Sequence, residues 1–268
     1  MANLLKKFLK PAIKSVLYPL YERRLFTKLD FTQTPRHVGV ILDGNRRWSK
    51  ANPSVDGDTS TSRGHKAGAE KIIDLLDWCE ESSVEVLTIW LLSNQNLNRP
   101  PEELEPLLKI IADTVNDLAS RRRWEIRPVG SMELLPRNLV DQLTDVAAKT
   151  KGIKGVLINV AIGYGGRSEI ADAVKSLISA EAKSGKSPEQ IAELISVDEI
   201  SRHLYTAGLP DPDLVIRTSG EQRLGGFLLW QSANSEFYFC EAYWPDFRRV
   251  DFLRALRAYS QRNRRFGK

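Results

Sequence analysis

The sequence predicts a single α/β domain, a mostly parallel central sheet of about six strands surrounded by helices. From residue 38 onward, short apolar runs of strand length alternate with stretches of helical periodicity, the pattern of a sheet whose parallel crossovers are helices. Hydrophobic residues make up 42% of the 268, enough for one sizeable core. No internal repeat or long linker divides the chain.

Taken in order, residues 1–30 differ in style from residues 31–268. Leu4, Leu5, Phe8, Leu9, Ala12, Ile13, Val16, Leu17 and Leu20 recur at helical spacing with Lys6, Lys7, Lys10 and Lys14 between them, a basic amphipathic segment. Such a segment either lies on an acidic membrane surface through residues 4–20 or packs its stripe on its own domain, and Pro11 and Pro19 interrupt it. The strands expected next are 38–42, 84–92, 124–129, 155–162, 213–217 and 236–240. Helices are expected at 64–82, where Ile72, Leu75, Leu76 and Cys79 share a face, and at 102–119, 137–149, 167–183, 188–206 and 250–264. Residues 51–63, rich in Ser, Thr, Asp and Gly, read as a mobile loop near the first strand.

Composition narrows the function classes. The 39 Lys and Arg against 34 Asp and Glu give a formal charge of +5, which favours anionic ligands without choosing among phosphates, nucleic acid and acidic lipid. Cys79 and Cys240 sit in apolar or aromatic stretches and read as buried free thiols. With no apolar run long enough to span a bilayer and no secretory signal, the expected location is the cytoplasm, with peripheral contact at the inner membrane face as the amphipathic segment's alternative.

The segment Val38-Gly-Val-Ile-Leu-Asp-Gly-Asn-Arg-Arg-Trp48 is an apolar strand ending in an acid, a glycine, an asparagine and two arginines. Ligands of open α/β sheets bind beyond the carboxyl ends of strands. Asp43 therefore stands where a magnesium ligand is useful, and Gly44, Asn45, Arg46 and Arg47 offer backbone N–H groups and guanidinium forks to a diphosphate. An ordinary turn with a solvated basic face fits the same residues. Asp213-Leu-Val-Ile-Arg-Thr-Ser-Gly-Glu-Gln-Arg223 repeats the design, with Arg217 and Arg223 as the grip for a second diphosphate. Glu236, within an aromatic stretch, is a candidate second carboxylate near the metal, or an edge-strand surface acid.

Together with His37 to Lys50, Gly64-His-Lys-Ala-Gly68, Ser93 to Pro100, Tyr164-Gly-Gly-Arg167, Asp213 to Phe227 and Trp244-Pro-Asp-Phe247, these segments resemble the successive motifs of cis-prenyltransferases, which include the undecaprenyl diphosphate synthases. The resemblance runs in order from about residue 36 to the carboxyl terminus. It implies a catalytic domain over 31–268 with an apolar tunnel, which condenses isopentenyl diphosphate with an allylic diphosphate, geranyl or farnesyl, into a Z-configured product. It implies Mg2+ held by Asp43 and Glu236, and Asp43 and Asn96 as catalytic residues. Asn96 matches the family's proton acceptor, although an amide is a poor base and orienting a diphosphate oxygen suits it better. Substrate contacts are implied at Gly44, Asn45, Arg46, Arg47 and Trp48, at His65, along Ser93, Asn94, Gln95, Leu97 and Arg99, and at Arg217, Arg223, Leu224 and Gly225. Arg265-Phe266-Gly267 resembles a terminal element that reaches the neighbouring subunit, which implies a homodimer.

The chain also departs from the family. Ser93-Asn94-Gln95-Asn96-Leu97 replaces a Ser-x-Glu-Asn-Trp pattern, Thr61 stands where many relatives have arginine, with Arg63 shifted, and Gly225 replaces a serine. The Leu-Leu-Ser and Asn-Leu wording and Arg46 are closest in style to short-chain Z,E-farnesyl diphosphate synthases. Trp90, Leu91 and Leu92 are bulky candidates for the tunnel floor. The alternatives are a long-chain decaprenyl or undecaprenyl synthase, and a non-catalytic scaffold subunit of the same fold. A trans-prenyltransferase is disfavoured because the chain has no Asp-Asp pair. Nucleic acid is not an expected partner, since Arg121-Arg-Arg123 and Arg262 to Arg265 accompany no DNA or RNA module.

Overall fold

The computed structural model describes residues 18–262. The chain enters this region in a helix that runs through residue 27 (α1). Strand β1 (His37–Ile41) leads into a short helix α2 (Asn45–Ala51) and a long one, α3 (Thr61–Glu81). Then come β2 (Val86–Ser93), α4 (Pro101–Ser120), β3 (Glu125–Val129), α5 (Arg137–Thr150), β4 (Leu157–Tyr164) and α6 (Gly166–Lys183). Two short helices, α7 (Pro188–Leu194) and α8 (Val197–Arg202), precede β5 (Leu214–Arg217), β6 (Glu236–Phe239) and α9 (Arg249–Ser260). The six strands lie where the apolar runs predict them, with ends within two residues.

All pairings are parallel, in the order β3-β4-β2-β1-β5-β6. From β1 the chain leaves toward β2, and from β5 toward β6, in opposite directions. The crevice beyond the carboxyl ends of β1 and β5 is therefore the topological switch point. Both faces of the sheet are covered. Val38 and Val40 of β1 and Leu214 and Ile216 of β5 share one core with Leu75, Leu107, Leu139 and Phe252 from α3, α4, α5 and α9. Ile41 and Val215 point the other way, into a smaller cluster with Tyr164, Phe227 and Leu228, as strand alternation requires.

At the opposite, amino end of the sheet the buried His37 ring crosses two strands. Its Nδ1 lies 2.7 Å from the Pro210 carbonyl oxygen and its Nε2 2.8 Å from Thr88 Oγ1. A carbonyl only accepts, so Nδ1 carries the proton and Nε2 accepts from the Thr88 hydroxyl. Asn159 Nδ2 donates to the same hydroxyl at 2.9 Å.

Three expectations change. The helix expected over 188–206 is two helices, because Ser196 adopts extended backbone and its side chain accepts from the Glu199 N–H, starting a new helix where the old one should continue. The polar loop is shorter than 51–63, since α2 runs to Ala51 and α3 starts at Thr61 with Ser60 as its cap. In the amphipathic segment, Tyr18 and Tyr21 face Arg248 and Arg254, Phe26 faces Arg249, and Leu25 joins the core. Of the stripe itself only Leu20 is among the described residues, and it is exposed, so it is the neighbouring residues of α1 that pack on the domain; residues 1–17, and Arg265 to Gly267, lie outside the described residues.

Candidate active site

Asp43 follows β1, and the hydrogen bonds around it fix its backbone. Its N–H donates to Thr218 Oγ1 at 2.9 Å, and the Thr218 hydroxyl donates to the Asp43 carbonyl oxygen at 2.7 Å. Thr218 is fully buried just past β5, so it rivets the two strand ends at the switch point. Gly44 then turns the chain at φ +105°; a Cβ there would stand 2.7 Å from Tyr243 Cδ1. Only glycine holds that turn at low cost, and it aims Asn45, Arg46 and Arg47 at the crevice from the first turn of α2.

Opposite charges converge here. Arg217 Nη2 donates to Asp43 Oδ2 at 2.7 Å, and Nη1 of the same guanidinium donates to the Arg223 carbonyl oxygen. Arg47 donates to Ser219 Oγ at 2.7 Å, and lies 3.4 Å from Asp43 Oδ1 and 3.3 Å from Glu221 Oε1. Arg223 donates to the other oxygen of Glu221. Burial pushes the Asp43 carboxyl up, but the bond and charge of Arg217, with Ser219 and Arg47, outweigh it and hold it below the ordinary carboxylate value. Asp43 is an anion at neutral pH.

On the α4 side, Glu103 accepts from Arg46 at 3.5 Å and from Arg99 at 3.2 Å. Burial, and next the charge of Arg99, lower the pKa of His65 to about 4, so this ring serves as a neutral hydrogen-bonding group rather than a cation.

Asp43 to Arg47, His65, Ser93, Gln95, Asn96, Arg99, Arg217, Arg223 and Gly225 all line one cleft of about 940 Å³. It shares Leu42, Asn45, His65, Trp90, Leu91 and Leu107 with a small apolar cavity of about 40 Å³ between α3 and α4, lined also by Ala69, Ile72 and Ile111. A charged mouth leading to an apolar interior suits a molecule with an anionic head and a hydrocarbon tail.

Other expected contacts lie elsewhere. Trp48 turns away from the cleft, donating from Nε1 to Asp246 at 2.8 Å with Arg63 stacked over its ring. Asn94 donates to Ser168 Oγ and, with Leu97, lines a neighbouring cavity of about 890 Å³ that shares Trp90, Ser93, Gln95 and Gly225 with the cleft. Leu224 packs against the smaller core cluster. Glu236 does not stand beside Asp43. It pairs with Leu214, at the far end of β5 from Arg217, about 10 Å away at some 3.3 Å per residue, and it accepts from Arg262. Among the described residues no three His, Cys, Asp or Glu side chains form a metal cluster.

Sequence reading passed over Thr218, Ser219, Glu221 and Glu103. Glu103 had a signal, its i,i+4 spacing from Arg99. Glu221 had one too, lying two residues before Arg223.

Known proteins share this architecture. Residues 41–267 match the family model of undecaprenyl diphosphate synthases. The (2Z,6E)-farnesyl diphosphate synthase of Thermobifida fusca is 59% identical over 251 residues, covering 94% of this chain and 97% of that protein. Isoprenyl transferase 1 of Streptomyces avermitilis is 52% identical over 259 residues, 97% of this chain and 99% of its own. The crystal structure of lavandulyl diphosphate synthase from Lavandula x intermedia, in complex with dimethylallyl diphosphate, superposes with a TM-score of 0.78 at 34% identity, covering 88% of this chain and 100% of that one. Sequence, fold and cleft agree: the chain belongs to the undecaprenyl diphosphate synthase family, and is a prenyl-transferring enzyme of the cis-prenyltransferase class.

Proposed function

We propose that the enzyme condenses isopentenyl diphosphate with a short allylic diphosphate, geranyl or farnesyl, and stops at a short Z-configured product. The observation that carries this reading is the pairing of an arginine-lined cleft of about 940 Å³ with a small apolar cavity of about 40 Å³ that Trp90 and Leu91 help to line. The names of the relatives from Thermobifida fusca, a (2Z,6E)-farnesyl diphosphate synthase, and from Mycobacterium leprae, a short-chain Z-isoprenyl diphosphate synthase 49% identical over 265 residues, support the short product.

In this reading Arg46, Arg47 and the opening N–H groups of α2 bind the allylic diphosphate, and Arg217 and Arg223 bind that of isopentenyl diphosphate. The hydrocarbon tail enters between α3 and α4, which part to turn the cavity into a tunnel. Magnesium fits the donor set: one anionic carboxylate, Asp43, on the cleft wall leaves the remaining positions to phosphate oxygens and water, the usual arrangement for this ion. Bound there, Mg2+ supplies charge to neutralise the diphosphates. Asp43 keeps Arg217 in place, Arg47 faces the charge that grows on the departing pyrophosphate, and Asn96 orients a diphosphate oxygen. The apolar walls exclude water from the carbon that becomes cationic, so that the isopentenyl double bond is its nearest nucleophile.

Pairing as a homodimer through Arg265 to Gly267, and lipid contact through residues 4–20, belong to the same proposal; gel filtration and liposome flotation test them. Among the described residues no helix is long and apolar enough to cross a membrane. The catalytic reading is tested by incubating the protein with isopentenyl diphosphate and dimethylallyl, geranyl or farnesyl diphosphate, with and without Mg2+. Asp43→Ala should lower turnover by about two to three orders of magnitude, the usual effect of removing one charge-positioning group. Turnover indifferent to Asp43 would overturn the role given to it.

A further inference from the structure

Glu221 has no part in the scheme above, yet it lines the cleft between two of its arginines. One of its carboxylate oxygens lies 3.3 Å from Arg47 Nη1, and the other accepts from Arg223. It therefore bridges the guanidinium assigned to the allylic diphosphate and the one assigned to isopentenyl diphosphate. Its position is built into the backbone. Ser219 and Gly220 take left-handed conformations, φ +78° and +76°, and their N–H groups donate to the Ala242 and Cys240 carbonyl oxygens at 2.7 and 2.9 Å. This turn delivers Glu221 between the two arginines with its side chain 28% exposed. A serine at positive φ costs stability, and here the same turn also sets its buried hydroxyl against Arg47.

We propose that Glu221 is an internal stand-in for the substrate diphosphates, a positioning residue that holds Arg47 and Arg223 in the empty cleft and competes for them when a diphosphate binds. The inference rests on the proposed function and deepens it. Geometry gives the consequence. A diphosphate at either site takes one arginine from Glu221 and leaves the other to it alone; with both sites filled, the carboxylate has lost both partners. Each diphosphate is held less tightly than the bare arginines would hold it, and the cleft resets when pyrophosphate departs.

The test uses inorganic pyrophosphate binding to the full-length protein, measured by calorimetry without turnover. Glu221→Gln keeps the side-chain shape and removes the competition. Two solvent-screened ion pairs are released, so pyrophosphate should bind about three- to tenfold more tightly, and pyrophosphate inhibition of prenyl transfer should strengthen in step. A general loss of negative charge would also tighten binding, and the double variant with Arg223→Ala separates the two causes. If Glu221 acts through its arginines, the gain shrinks when Arg223 is absent. A gain of the same size in both backgrounds, or no gain at all, overturns the proposal, and circular dichroism of each variant confirms that it is folded. Wild-type protein that binds pyrophosphate but transfers no prenyl group would overturn the proposed function alone; wild-type protein that does not bind pyrophosphate would overturn both.

Discussion

At the scale of single residues, the cleft depends on arginines held in place by acids and carbonyls around them. Arg217 is the most constrained: its side chain is 8% exposed and joins Asp43 to the Arg223 carbonyl. A lysine ammonium is one point charge and cannot span both partners. Arg217→Lys should therefore lose one charge-assisted bond, about 1.5–3 kcal/mol, and kcat/KM should fall by roughly ten- to a hundredfold. Steady-state kinetics with either substrate varied would check this; an unchanged value would mean that the bridge is dispensable. Asp43, Arg217 and Arg223 were legible in the sequence because they terminate or follow strongly apolar strands, whose carboxyl ends face the crevice. Ser219 was not, since the left-handed turn that aims it is unmarked by composition except at Gly220, and for Glu221 the only sign was its place two residues before Arg223. Glu236 was misjudged for a related reason: in a parallel strand its first residue lies at the end remote from the site, which an acidic residue in an aromatic run does not reveal.

At the scale of elements, α3 approaches α2 so closely that two of its residues can have no side chain. A Cβ on Gly64 would lie 2.2 Å from the Asn45 carbonyl oxygen, and one on Gly68 would lie 2.4 Å from Asn45 Oδ1 and 2.8 Å from Trp244 Cδ1. The four-residue spacing puts both glycines on one helix face. Gly68→Ala should cost about 1–3 kcal/mol, as overpacking does, and should raise KM for the allylic substrate by displacing α2 and its arginines. Urea denaturation and kinetics would test the two effects separately. The sequence displayed this glycine pair as a family motif, while its steric cause needed the fold. The other wall of the cavity carries a second prediction. Leu91 lines the space between α3 and α4, and Leu91→Ala should deepen it and lengthen the main product by at least one isoprene unit, read by mass spectrometry. The 188–206 stretch shows the limit of periodicity: its apolar spacing continues through Ser196, but the hydroxyl captures a backbone N–H and restarts the helix.

At the scale of the whole molecule, the two ends of the sheet do different work: the cleft arginines and Asp43 gather at its carboxyl end, and a buried polar network through His37, Thr88 and Asn159 ties its amino end. Burial lowers the pKa of His37 to about 4, against the weaker opposing pull of its bond to Pro210 and the charge of Asp213. The folded ring stays neutral while the unfolded one protonates near 6.5, so the unfolded state binds the extra proton. The resulting stability is fully present above about pH 6.5 and is lost as pH falls toward 4, by about 3 kcal/mol in all. His37→Gln should flatten that part of the pH profile of the urea midpoint; an identical slope in both proteins would contradict the neutral ring. The alternation of six apolar strands with helices made the architecture readable in advance. The switch point at β1 and β5 was not, because strand order depends on which crossovers pack where.

The central claim is that this cleft and its short apolar cavity make a Z-configured product and stop early. It is met most directly by supplying geranyl diphosphate and isopentenyl diphosphate with Mg2+ and determining the product's mass and the geometry of its new double bond. A single addition giving the (2Z,6E) product is the expected result. A new E double bond, or chains extended by many units, would contradict the account.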